Sequence, residues 1–143
     1  MDAIVQAKRV LEIFKEMSQI PRESGNEKGI SDYIVNFAKN LGLEVHQDEI
    51  FNVVIKKAAS PGYENRPSII LQGHIDMVCV KNHDSNHDFS KDPIANIIEG
   101  EWMHADHTTL GADNGMGAAM MLALLEDESQ QHGPMQLLFT TNE

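Results

Sequence analysis

Ile69-Ile70-Leu71-Gln72-Gly73-His74-Ile75-Asp76 is the stretch whose reading decides the fold. Apolar residues run straight into a glycine, which predicts a short strand over 68–73, buried on both faces as in an open α/β sheet. Residues that follow such a strand stand at its carboxyl edge, where these sheets bind ligands. His74 is a metal ligand by type at neutral pH, and Asp76 is placed to accept the other ring N–H and fix the imidazole. Alone, this tetrapeptide end reads more simply as a histidine hydrogen-bonded where a strand stops.

Before the strand, residues 4–18 carry Ala7, Val10, Leu11, Phe14 and Met17 at three- and four-residue steps, one apolar face of a helix. Pro21 pushes Ile20 out of helical geometry, so Pro21-Arg22-Glu23-Ser24-Gly25-Asn26 is a loop. Ser24 or Asn26 is a candidate cap for a second helix running to about Leu41, with Gly42 placed to end it. Its face is Ile30, Tyr33, Ile34, Phe37 and Leu41. Leu43–Gln47 and Phe51–Lys56 read as strands, and the proline- and glycine-bearing segment 58–67 as a surface connection.

After the strand, residues 81–93 form a long polar loop. Ile94–Ile98 and Glu101–His104 predict a hairpin turning at Gly100. Thr108–Gly117 is a glycine-rich loop leading into a helix over 115–127 that is apolar almost all round and so should be buried. Met135–Thr141 is a further buried strand. Helices alternating with apolar strands predict an α/β domain: a partial three-layer sandwich whose central sheet is mostly parallel and flanked by helices.

With 143 residues, 41% of them hydrophobic, the chain has the makings of one cored domain. A formal charge of −11 makes nucleic acid and anionic membrane poor partners. The single cysteine, Cys79, excludes an internal disulfide framework and favours a reducing, cytoplasmic setting. No secretory signal or membrane span is legible.

Two more acids join His74. Asp113, in Leu110-Gly111-Ala112-Asp113-Asn114-Gly115, sits in a glycine-rich bend before a buried helix. It reads as a helix N-cap or as a carboxylate bridging two metal ions, with Gly111 and Gly115 allowing the close backbone that this placement needs. Glu143 follows an apolar strand and so lies at the same edge. It reads as an inert glutamate, or, beside a bound water, as a general base and acid. His83, His87, His104 and His107 read as solvated, Cys79 as a small buried residue, and Met116, Met120 and Met121 as core.

Taken together, Ile70–Val78, Thr108–Gly115 and Leu138–Glu143 resemble the zinc peptidases that include carboxypeptidase G, aminoacylase and the cytosolic dipeptidases. The form Thr-Thr-Leu-Gly-Ala-Asp-Asn-Gly is most similar to the aminoacyl-histidine (Xaa-His) dipeptidases of peptidase D type, as are Phe89–Ile94 and Pro21–Asn26. The resemblance implies two zinc ions, with cobalt or manganese as substitutes, His74 as a ligand of one and Asp113 bridging both. It implies that Asp76 orients His74, that Glu143 is the general base of a Glu-Glu pair, and that the Asp113–Asn114 peptide is cis. The substrate would be a small dipeptide of Xaa-His type; an aminoacylase or tripeptidase is the alternative.

The second glutamate of the pair, the later acidic and histidine ligands, and the lid or dimerisation domain of that family have no counterpart in residues 1–143. The chain is therefore expected to be the N-terminal portion of the catalytic domain. On its own it should bind zinc weakly and hydrolyse no dipeptide. It should also self-associate as a homo-oligomer, or pair with the remainder of the peptidase; a fragment that only associates is the non-enzymatic reading.

Overall fold

A computed structural model describes residues 2–143. Helix α1 (Ala3–Ser18) starts at Asp2, whose carboxylate accepts the Ile4 N–H. Phe14 and Met17 are fully buried, as the helical spacing predicts, and Ile13 joins them, while Leu11 faces outward. Helix α2 (Lys28–Asn40) begins one residue later than an Asn26 cap would require and three later than a Ser24 cap would. Its N-cap position is Glu27, which makes no side-chain capping bond, because Ser24 and Glu27 are engaged elsewhere.

Strands β1 (Glu44–Gln47), β2 (Val53–Lys57), β3 (Ile69–His74) and β6 (Met135–Thr140) form one sheet in the order β1-β2-β6-β3. The sheet is mixed, not mostly parallel. Strands β1 and β2 pair antiparallel, β2 and β6 pair antiparallel, and only β3 and β6 run parallel. The cause is chain length between strands. The link from β1 to β2 is a short turn closed by Asp48, too short for a parallel crossover. Between β3 and β6 runs helix α3 (Ala112–Glu126), which can supply such a crossover.

Val53, Ile55, Leu137 and Phe139 form one core with Phe14, Ile34 and Leu122 of the helices. Each fully buried side chain of that size contributes roughly 1.5–3 kcal/mol by leaving water. The alternate residues Val54 and Leu138 are only half-buried. Strand β3 also departs from the expectation of burial on both faces. It pairs only with β6, at the end of the sheet, and Ile70 is 65% exposed. An apolar run reports that a strand can be buried; it does not report its place in the sheet.

Helix α3 is likewise not buried all round, nor are its methionines all core. Ala118, Ala119, Met121, Leu122 and Leu125 are buried, but Met120 is 58% exposed. Met120, Leu124, Leu71 and Val10 line an open apolar groove of about 580 Å³ along this flank.

The hairpin β4 (Ile97–Glu99) and β5 (Trp102–His104) forms where expected, turning at Gly100. Beside it, Met77, Ile94 and Ala105 make a small second core with Phe89 and Leu110. His87 departs from the solvated reading: its ring packs edge-on against Phe89, and its Nε2 is buried without a hydrogen-bond partner among the described residues. Cys79 is half-buried.

Candidate active site

The parallel pairing of β3 with β6 sets two strand ends side by side. His74 stands opposite Thr140, and the Ile75 N–H donates to the Thr140 carbonyl at 2.8 Å. Residues 74–76 and 141–143 therefore leave the sheet together. Helix α3 adds the third segment from above β3, through the bend at Gly111–Asn114.

Two glycine pairs make that approach possible. A Cβ at Gly73 would stand 2.9 Å from Asn114 Nδ2, and one at Gly117 would overlap Asn114 Oδ1, so these glycines admit the Asn114 side chain. A Cβ at Gly111 or at Gly115 would lie 2.5 Å from Arg22 Nη2. Gly111 also has φ +78, a left-handed value that favours glycine, and it occupies the N-cap position. Asp113 is therefore not the helix cap. Its φ and ψ of −92 and 106 lie outside the helix, and the Asp113–Asn114 peptide is cis, as the resemblance implies.

The resulting geometry gathers all four residues singled out in the sequence. His74 Nε2 lies 3.0 Å from Asp113 Oδ1. On the other side of the ring, Nδ1 lies 3.0 Å from the Asp76 carbonyl and 3.3 Å from the Asp76 carboxylate. The nearer partner of Nδ1 is thus the backbone oxygen of Asp76. Glu143 enters through its backbone: its N–H donates to the Asp76 carboxylate at 3.2 Å.

Asp76 is 2% exposed and sits among donors, accepting from Ser24 Oγ at 2.5 Å as well as from Glu143 N. Asp113 is the opposite case, with a side chain 96% exposed. Beneath both lies Arg22, whose guanidinium donates to the Ile75 carbonyl at 3.2 Å and to the Gly111 carbonyl at 2.7 Å. Burial pushes its pKa down to about 10, which still leaves it charged at neutral pH. The periodicity and motifs of the sequence gave no sign of these roles for Arg22 and Ser24, because both partners lie fifty or more residues away.

The donor chemistry at the rim fits a cation. A carbonyl only accepts, so the Nδ1 that faces Asp76 is the protonated nitrogen. The other ring nitrogen, Nε2, faces an Asp113 carboxylate oxygen. Two acceptors at 3.0 Å need a shared positive charge between them, a proton or a metal ion. Imidazole nitrogen and carboxylate oxygen are both zinc donors, each at about 2.0–2.2 Å from the ion. Among the described residues no three His, Cys, Asp or Glu side chains converge as a metal-binding group.

Comparison with known proteins finds peptidases among the similar chains. The chain is 48% identical over 132 residues to the cytosol non-specific dipeptidase of Escherichia coli K12, a match covering 92% of the chain and 27% of that protein. It superposes on the crystal structure of aminoacylhistidine dipeptidase from Vibrio alginolyticus with a TM-score of 0.91 and 46% identity, over 94% of this chain and 28% of that one. By sequence and by fold, the chain is similar to part of each of these two dipeptidases. A tripeptidase from Staphylococcus aureus is more distant, with a TM-score of 0.77 and 28% identity over 95% of this chain and 36% of that one. The chain thus spans about a quarter of the length of the two dipeptidases. No family model matches it.

Proposed function

We propose that this chain is the N-terminal portion of the catalytic domain of a metal-dependent dipeptidase, cleaving Xaa-His-type dipeptides such as β-alanyl-histidine. The dipeptidase and tripeptidase names of its relatives support peptide hydrolysis as the reaction. One observation supports the metal dependence: a histidine ring nitrogen and an exposed carboxylate facing each other at 3.0 Å.

In this reading His74 and Asp113 would hold metal, two zinc ions in the complete site, and cobalt or manganese could replace zinc. The metal, when bound, polarises the scissile carbonyl and lowers the pKa of the attacking water to about 7. Asp76 fixes the imidazole so that Nε2 stays the free donor. Glu143, anchored beside Asp76 by its N–H, takes the proton of the attacking water and passes it to the leaving amine. The remaining ligands come from further polypeptide, since a zinc ion needs about four.

The setting we infer is the cytosol, as for the Escherichia coli relative. No helix among the described residues is long and apolar enough to cross a membrane.

The test is hydrolysis of β-alanyl-histidine by the full protein that carries this chain. Chelation should abolish it, added zinc should restore it, and His74→Ala should remove it. Turnover that survives both chelation and His74→Ala would sink the reading. A preference for tripeptides or acylated amino acids would replace dipeptidase by the tripeptidase or aminoacylase alternative.

A further inference from the structure

The loop Pro21–Glu27 touches every segment of the site. The Met77 N–H donates to the Arg22 carbonyl at 3.0 Å, and Glu23 bridges Met77 in parallel. The Arg22 guanidinium joins Ile75 to Gly111, which ties the end of β3 to the bend that carries Asp113. Ser24 Oγ donates to the Asp76 carboxylate. The Glu27 carboxylate accepts the Asn142 N–H at 3.0 Å, next to Glu143, and the Gly25 N–H at 2.9 Å, which closes the loop on itself.

We propose that this loop is the template of the active site, holding residues 75–77, 111–113 and 142–143 in register, and that Ser24 is a positioning residue acting through Asp76. The proposal rests on the metal-peptidase reading above. Asp76 has two duties: it steadies the His74 ring and it holds the Glu143 backbone. Its orientation is set on one side by the Glu143 N–H and on the other by the Ser24 hydroxyl. Without that hydroxyl the carboxylate is free to rotate toward Nδ1, and ring and glutamate lose their common reference. Partners of this kind, one shell behind a metal ligand, change metal affinity or activity by about 10–100-fold.

Ser24 is the residue to test, because it is exposed, whereas Arg22 and Glu27 are buried and their loss would disturb folding. In the full protein, Ser24→Ala should lower kcat for β-alanyl-histidine at least tenfold with KM within twofold. Zinc affinity by calorimetry should fall by a similar factor, and the thermal midpoint should stay unchanged. Ser24→Thr, which keeps the hydroxyl, should recover most of the loss. Wild-type kcat and zinc affinity in Ser24→Ala would overturn the proposal. So would Ser24→Thr being as impaired as Ser24→Ala, or a loss of kcat that tracks a loss of thermal stability. His74→Ala separates the two readings. A protein disabled by His74→Ala and indifferent to Ser24→Ala overturns only the template. One indifferent to His74→Ala in activity and in zinc binding overturns the metal peptidase, and the template with it.

Discussion

His74 and Asp113, 39 residues apart in the chain, meet at 3.0 Å, one with its side chain 16% exposed and the other 96%. The pairing combines a fixed donor with one open to the solvent. His74→Ala and Asp113→Asn should each lower kcat/KM of the full protein on the order of 100-fold or more. Zinc should raise the thermal midpoint of the wild type and leave that of either variant unmoved, read by calorimetry. The 143-residue chain alone, with two direct ligands, should bind zinc no tighter than about micromolar, since a closed site needs about four.

Gly115→Ala should destabilise the fold by about 1–3 kcal/mol, read as a lower urea midpoint at unchanged slope. The new methyl would meet Arg22 Nη2 at 2.5 Å and Phe14 Cε2 at 3.0 Å. Neither neighbour can yield. Arg22 is pinned by two carbonyls and Phe14 is fully buried.

Cys79 should be a poor nucleophile. Burial, with the charge of Glu23 adding to it, pushes the thiol up to about 11. At pH 8 only about a thousandth of it is thiolate, so alkylation should run on the order of 100-fold slower than for a free cysteine. The rate should keep climbing tenfold per pH unit up to about pH 10. A plateau near pH 9 would contradict this.

Acid should loosen the far end of α3. Asp127 accepts first from the Ser129 hydroxyl, then from the Ser129 N–H and from Gln6 of α1, and these bonds hold its pKa well below the ordinary carboxylate range. A carboxylate depressed on folding stabilises above its unfolded value, near 3.9, and loses that contribution as pH falls through the folded value. The urea midpoint should therefore fall from pH 5 to pH 2, and Asp127→Asn should make that decline shallower.

The chain on its own should associate. Strand β3 has no partner on its outer edge among the described residues, and Ile70 and Met120 lie open beside it. We expect concentration-dependent light scattering from the 143-residue chain, reduced by Ile70→Lys. A monodisperse monomer would show that the flank needs no cover.

Much of this was legible before any coordinates. The spacing of Phe14 and Met17, the glycine at the hairpin turn, and the edge position of His74, Asp113 and Glu143 are local signals, and the structure follows them. Strand direction was partly within reach, because the short turn between β1 and β2 already excludes a parallel pair. What no local pattern encodes is which strand lies beside which. Leu71 carries the same apolar signature at the end of a sheet as in its middle, and only its pairing with Leu137 of β6 fixes its place. Ser24 illustrates a second limit. Its residue type suits a helix cap, yet the hydroxyl is spent on a carboxylate 52 positions downstream.

Because translation runs from the amino terminus, Arg22, Ser24 and Glu27 leave the ribosome well before the site segments they grip. Ser24 waits for Asp76, Arg22 for Gly111, and Glu27 for Asn142, an interval of 115 residues. The loop is thus synthesised first, and residues 75–77, 111–113 and 142–143 reach it afterwards. Of the segments described, residues 142–143 reach the loop last, so a nascent chain stalled short of them carries the helices without this arrangement.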